Sequence, residues 1–144
     1  MSEIIWHNKQ LTLDDLNQPR EGGLAGHVGI VFTKLGPDFL EGTMPVDHRT
    51  KQPAGLLHGG ASVVLAETLG SVGAYLTVDT KNHSVVGLEV NANHVRSARS
   101  GHVTGIARPL HRGRSTQVWD IRITDMEGKL VCISRLTVAV TTRK

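Results

Sequence analysis

One long hydrophobic segment, Gly59–Thr77, constrains the fold of this chain more than any other feature. Its residues are apolar or small at nearly every position, and Glu67 is the single charged residue within it. Such a pattern is typical of a helix that is buried on most sides. No second segment predicts a helix long enough to cover it, so strands must do so. The sequence therefore predicts an α+β architecture in which a sheet wraps one central helix.

Six segments around this helix have the composition and alternation of β-strands. They are residues 27–35, 39–46, 84–93, 101–109, 115–124 and 130–141, and a short helix capped by Thr12 precedes them. Four residues of the third segment are predicted to share one face: Val86, Leu88, Val90 and Ala92. Short turns between consecutive strands favour an antiparallel sheet. With one helix after the second strand, the order is that of a hotdog-like α+β fold, and we expect residues 1–144 to form a single domain.

Composition argues against several classes of function. The net charge of +3 and the pI near 9.4 are mildly basic, without the dense lysine and arginine clusters of nucleic-acid-binding proteins. The eight histidines lack the spacing of metal ligands, and the lone Cys132, in an apolar run, permits no intrachain disulfide. No basic segment followed by an apolar one begins the chain, and Glu67 argues against a membrane span. We therefore expect a cytoplasmic protein that binds neither nucleic acid, metal nor membrane.

Glu67 has two interpretations. A carboxylate inside an apolar helix is costly to desolvate unless it is paired or used chemically. A partner arginine or serine would make it structural. We favour a catalytic role because Gln52 and the sequence His58-Gly59-Gly60 precede the helix. They place a polar side chain, an imidazole and unpaired backbone N–H groups at the helix N-terminus, where a developing oxyanion could be held.

The spacing along the helix indicates that such a site would need two subunits. Gly59 and Glu67 are eight residues apart, which is about 12 Å along a continuous helix. A reacting carbonyl must lie about 3 Å from both the attacking group and the oxyanion donors. A twofold dimer with adjacent core helices would bring Glu67 of one chain to Gly59 of the other. Ser71, one turn after Glu67, would position a water or the carboxylate, or else bond the carbonyl four residues back.

Two basic segments suit phosphate oxygens. Residues 94–97, His-Val-Arg-Ser, follow the third predicted strand, and residues 111–116, His-Arg-Gly-Arg-Ser-Thr, join the fourth and fifth. Arginine and histidine beside hydroxyl groups form charge-assisted hydrogen bonds to phosphate. Either segment alone would be an ordinary solvated loop. If both segments lie near Glu67, together they would hold the anionic part of a cofactor.

Residues 52–71, Gln-Pro-Ala-Gly-Leu-Leu-His-Gly-Gly-Ala-Ser-Val-Val-Leu-Ala-Glu-Thr-Leu-Gly-Ser, resemble the signature of the hotdog-fold acyl-CoA thioesterases of the phenylacetate-pathway type. The similarity extends over nearly the whole chain. It implies that Glu67 is nucleophile or general base and that the Gly59 N–H is the oxyanion donor. His58 would help to hold the thioester carbonyl, and Gln52 and Ser71 would position the carbonyl or the water. The residues implied to line the CoA channel are Gly87, His94, Val95, Arg96, Ser97, His111, Arg112, Gly113, Arg114, Ser115 and Thr116.

The resemblance also implies the reaction. We expect hydrolysis of an aromatic acyl-CoA, with 1,4-dihydroxy-2-naphthoyl-CoA of menaquinone biosynthesis as the nearest match, by a homodimer or a tetramer built as a dimer of dimers. No cofactor is expected, because CoA is part of the substrate. One alternative is proofreading, the removal of misloaded aryl groups from an acyl-carrier protein, and another is a non-catalytic acyl-CoA-binding module. Ala54 stands where close members of the family carry Phe, which leaves the acyl preference open.

Overall fold

An antiparallel sheet and one long helix organise the structure. The computed structural model describes residues 3–19 and 22–144. Its strands are β1 (Val31–Leu35), β2 (Leu40–Pro45), β3 (His83–His94), β4 (His102–Arg112), β5 (Thr116–Thr124) and β6 (Leu130–Thr142), and its helices are α1 (Leu13–Leu16), α2 (Leu24–His27) and α3 (Gly59–Thr77). The strands lie in the order β1-β2-β4-β5-β6-β3, and all neighbours are antiparallel. The predicted α+β architecture is confirmed.

Helix α3 packs against strands β2 to β6 with one of its sides. Small residues permit this close packing: a Cβ at Gly70 would lie 2.7 Å from Leu136, and one at Gly73 would lie 2.9 Å from Trp119. The residues of α3 buried in this way are Ser62, Leu65, Ala66, Leu69, Gly70, Gly73 and Ala74. The sheet thus covers this side of α3 with five of its strands. The residues along the other side remain partly or fully exposed: Gly60, Glu67, Ser71 and Tyr75.

Strand β5 supplies the centre of the core. Trp119, Ile121 and Ile123 alternate along the strand and are fully buried. Trp6 stacks on Trp119 with ring centroids 6.4 Å apart, and its indole N–H donates to the carbonyl of Gly36 at 2.7 Å. The N-terminal segment is therefore fixed over the sheet by an aromatic pair and a hydrogen bond at the partly exposed edge of the core.

The segment before β1 differs from the prediction. Residues 27–30 were expected to extend the first strand, but the short helix α2 occupies 24–27, and the Val28 N–H donates back to Leu24 at 3.0 Å. Gly29 follows with φ +81° and packs against Pro45. A residue in this left-handed region cannot continue a strand, so β1 begins only at Val31.

A bulge in β3 overturns the predicted alternation of that strand. Gly87 faces Val138 of β6 and Glu89 faces Thr137, so Leu88 has no partner in the ladder. Val86 and Leu88 are 55% and 60% exposed, whereas Val90 and Ala92 pack on the core. The prediction that these four share one face is wrong, because the extra residue reverses the phase of the side chains along the strand.

Candidate active site

The N-terminus of α3 presents unused hydrogen-bond donors. His58 is the N-cap residue, and its Nδ1 accepts the Gly60 N–H at 2.8 Å. A neutral His58 that accepts at Nδ1 carries its proton at Nε2, and its side chain is exposed. Among the residues described, none accepts a hydrogen bond from the Gly59 N–H. This end of the helix therefore offers two donors to an oxygen atom.

Thr50, which the sequence analysis did not single out, holds the loop that leads to this helix. Its buried hydroxyl donates to the Pro45 carbonyl at 2.7 Å and accepts the Asp47 N–H at 3.1 Å. Its own carbonyl accepts the His58 N–H at 2.8 Å. Arg49 hydrogen-bonds the carboxylate of Asp47 and lowers the pKa of Asp47 to about 2. An Asp followed three residues later by a Thr is typical of a turn, and this spacing of Asp47 and Thr50 was the signal by which the sequence could have identified Thr50.

Gln52 closes its own turn in this structure. Its side-chain oxygen accepts the N–H of Ala54, and its carbonyl accepts the N–H of Gly55 at 2.9 Å. The side-chain amide N–H₂ forms no hydrogen bond with the described part of the chain. Gln52 thus lies on the loop beside the helix N-terminus with a donor to spare, as a role in positioning a carbonyl or a water requires.

A cavity of about 420 Å³ opens at this end of α3. Gly59 and Ser62 line it from the helix, and residues 94–97 line it from the segment at the end of β3. The imidazole of His94 lies over Gly59, since a Cβ on that glycine would be 2.9 Å from Nε2 of His94. The remaining walls are Leu56, Leu57 and Val131. The structure therefore joins the predicted oxyanion donor to one of the two predicted CoA-binding segments.

Arg96 supplies the positive charge of this cavity. It lies close enough to the β5–β6 turn to contribute to lowering the pKa of Asp125, although the N–H of Lys129, hydrogen-bonded to that carboxylate, is the larger cause. Arg96 is exposed and Asp125 is partly exposed, so their mutual attraction is screened by solvent and salt. The guanidinium of Arg96 can therefore pair with an anionic ligand.

Glu67 lies halfway along α3, outside this cavity. It is half-buried, on the side that the sheet leaves open. In residues 3–19 and 22–144 no side chain forms a salt bridge or hydrogen bond with its carboxylate, so a purely structural role for Glu67 has no partner among these residues. The carboxylate lies beside Gly87 of β3, where an added Cβ would be 2.7 Å from Oε2. Gly87, which the resemblance places among the CoA-channel residues, lies against this carboxylate.

Ser71 follows Glu67 by one helical turn on the same open side. Within the described residues its hydroxyl forms no hydrogen bond, including to the carbonyl four residues back. The helix is continuous from Gly59 to Thr77, so Gly59 and Glu67 are about 12 Å apart along it. The two groups predicted to act on one carbonyl do not meet within a single chain.

The second basic segment lies at the opposite end of α3. Arg112 pairs with Gln117 across the β4–β5 hairpin, and the Gln117 side chain donates to the Thr77 hydroxyl at 2.9 Å. Residues 111–116 therefore lie near the C-terminal end of the helix, whereas residues 94–97 lie at its N-terminal end. One chain presents three separate groups along α3: donors, carboxylate and a basic hairpin.

Two further kinds of site were sought in the described part of the chain. No three His, Cys, Asp or Glu side chains there gather in a way that could hold a metal ion. Over the same residues, no helix is long and apolar enough to cross a membrane.

A long helix packed against a six-stranded antiparallel sheet is the arrangement of the hotdog thioesterases. The profile of the thioesterase superfamily matches residues 54–132, a range that contains the helix, the carboxylate and both basic segments. The chain belongs to the thioesterase superfamily and is a thioester hydrolase.

Individual relatives agree over almost the full length. The chain is 58% identical over 137 residues to the 1,4-dihydroxy-2-naphthoyl-CoA hydrolase of Escherichia coli K12, covering 95% of this chain and 99% of that one. It is 51% identical over 137 residues to the proofreading thioesterase EntH of Cronobacter sakazakii, covering 95% and 98%. A solved thioesterase structure from Pseudomonas aeruginosa superposes with a TM-score of 0.92 at 51% identity, covering 96% and 99%. The expected family and fold are confirmed.

Proposed function

We propose that this protein hydrolyses aromatic acyl-CoA thioesters, with 1,4-dihydroxy-2-naphthoyl-CoA as its substrate, to the free acid and CoA. The name of the E. coli relative, 58% identical over 95% of this chain, supports the substrate. The observation that carries the proposal is the Glu67 carboxylate, which lies partly exposed at mid-helix with no partner in the described chain. A group held in this way is available to react.

The reaction adds water to the thioester carbonyl carbon and breaks the carbon–sulfur bond, and the departing thiolate takes up a proton as CoA. Glu67 acts in one of two ways: it removes a proton from the attacking water, or it attacks the carbonyl itself to give an anhydride that water then cleaves. The Gly59 N–H and the Nε2–H of His58 stabilise the negative oxygen. Gln52 and Ser71 orient the carbonyl and the water, and no cofactor takes part.

The active site is shared between two chains in this proposal. If Gly59 of one chain lies beside Glu67 of its mate on antiparallel helices, the twofold axis passes near Val63, and two equivalent sites result. The open side of α3 leaves room for the second helix. Strand β3 is a twelve-residue edge strand with exposed Val86 and Leu88, and unpaired edges of this kind associate readily. Pairing of two β3 edges extends the sheet across the dimer.

The same arrangement gives the basic segments a common role. On antiparallel helices the N-terminal end of one chain lies toward the C-terminal end of the other, so residues 94–97 of one chain approach residues 111–116 of its mate. The two segments then hold the phosphates of one CoA, in the cytoplasm where we place the reaction. Two such dimers associate into the proposed tetramer.

A hydrolysis screen tests the substrate. Purified protein is offered 1,4-dihydroxy-2-naphthoyl-CoA, benzoyl-CoA, a long-chain acyl-CoA and one aryl-loaded carrier protein, and the release of free thiol is followed. We expect the highest kcat/KM with the naphthoyl thioester. A higher value with the long-chain acyl-CoA would contradict the aromatic preference, and no hydrolysis of any thioester would contradict the activity itself.

Proofreading of a carrier protein is the second candidate. The relative EntH at 51% identity supports it, as does the basic segment 94–97 that lines the cavity, because a positive entrance attracts an acidic partner protein. In the same screen, a kcat/KM for the aryl-carrier protein above that for every CoA thioester would favour this function. We expect the reverse, since CoA carries its own phosphates to the basic segments.

A further inference from the structure

We propose that Gly87 is a positioning residue for Glu67: the missing side chain at the β3 bulge leaves the space in which the carboxylate lies. The inference deepens the proposed function and rests on it, since it assumes that Glu67 attacks the thioester or activates the water. It assigns to Gly87 a role toward the carboxylate that is distinct from lining the CoA channel.

A side chain at Gly87 fits only if the carboxylate of Glu67 moves away. A Cβ there would lie 2.7 Å from Oε2 of Glu67, whereas ordinary contacts begin at 3.4 Å, so the carboxylate would have to move by about 0.7 Å. Of the described glycines, Gly87 is the one whose added Cβ would meet a carboxylate first. The next neighbour, Leu136, is at 3.9 Å and would be in ordinary contact.

Backbone conformation does not require glycine at this position. Six described glycines have positive φ, and Gly87 is not among them. An alanine can therefore adopt the same backbone without strain. The space occupied by the carboxylate is the constraint that remains.

The bulge in β3 also determines which side chains lie near Glu67. Before it, Val85 and Gly87 face the helix, and after it Val90 and Ala92 do so. If Leu88 were instead paired in a regular ladder, the alternation of side chains would put Glu89 on the same face as Gly87, toward Glu67. In the structure Glu89 is exposed on the opposite face, where its carboxylate accepts from the side chain of Asn91 at 3.1 Å. The bulge thus gives Glu67 a glycine as its neighbour and keeps a second negative charge away.

The test compares Gly87→Ala with a matched control, Gly105→Ala. A Cβ at Gly105 would also lie 2.7 Å from a helix side chain, but that neighbour is the buried Leu69. We measure kcat, KM and the melting temperature of both, with Glu67→Gln as the reference for loss of the carboxylate. For Gly87→Ala we expect kcat to fall about 100-fold, as displacements of about 1 Å do, with KM and the melting temperature close to wild type. For Gly105→Ala we expect a lower melting temperature and an unchanged kcat.

Each other outcome contradicts the inference in a distinct way. An unchanged kcat in Gly87→Ala with an inactive Glu67→Gln overturns the positioning role alone. A raised KM with normal kcat assigns Gly87 to the CoA channel instead. If the melting temperature of Gly87→Ala falls as far as that of Gly105→Ala, the added Cβ disturbs the packing of the core and does not simply displace the carboxylate. An active Glu67→Gln overturns the proposed function, not only this inference.

Discussion

At the scale of single residues, the sequence identifies reactive groups better than their surroundings. Glu67 could be singled out because one charge in an apolar helix is visible without a structure. Its half-buried position and its contact with Gly87 could not be predicted, because they depend on which side of α3 the sheet covers and on a bulge 20 residues further along. The structure adds that His58 accepts the Gly60 N–H at Nδ1, which leaves its Nε2 for the substrate.

The catalytic role of Glu67 gives the first prediction at this scale. Glu67→Gln removes the negative charge and keeps the shape, so we expect an unchanged melting temperature and a kcat lower by roughly two to three orders of magnitude, the usual contribution of a general base or nucleophile. Glu89→Gln is the matched control, because Glu89 is exposed on the other face of β3, and its kcat should match wild type. Near-normal turnover by Glu67→Gln would contradict the catalytic assignment.

At the scale of elements, the sequence predicted the long helix correctly, but not the start of the first strand or the faces of the third. The helix Gly59–Thr77 has the predicted bounds. The first strand was predicted too long, because the β-branched and aromatic residues near Val28 do not reveal the left-handed Gly29. The faces of β3 were misassigned because a bulge leaves no mark in an alternating sequence. Local composition does not show where the pairing of two strands leaves one residue without a partner.

The basic segments give the prediction at this scale. Neutralising Arg96, Arg112 or Arg114 with Gln should raise KM for CoA thioesters and leave kcat nearly unchanged, since phosphate contacts stabilise the bound substrate and the transition state alike. The increase should shrink at high salt because these side chains are exposed. Arg122→Gln, on β5 and paired with Asp120, should leave KM unchanged.

A thioester without the nucleotide provides the discriminating substrate. It should be hydrolysed equally well by wild type and by the arginine variants. Equal penalties on this truncated thioester and on the full CoA thioester would show that these arginines support the fold and do not hold the phosphates.

At the scale of the whole molecule, the separation of groups along α3 is the main result. Sequence spacing alone placed Gly59 and Glu67 about 12 Å apart, and the unbroken helix agrees with that. The sequence did not reveal that residues 94–97 and 111–116 lie at opposite ends of the helix, because that depends on where β3 ends and where β4 turns back. In both cases a second copy of the chain would bring the separated groups together.

The measurement that tests this account most directly mixes two inactive variants, Glu67→Ala and Gln52→Ala, in equal amounts with full subunit exchange. If each site takes Gln52 and Gly59 from one chain and Glu67 from its mate, about a quarter of the sites are intact, and about a quarter of wild-type activity should return. Mixing Glu67→Ala with Glu67→Gln is the control and should recover none. Proven exchange of the first pair without any recovery would contradict the shared active site, as would a fully active monomer in sedimentation.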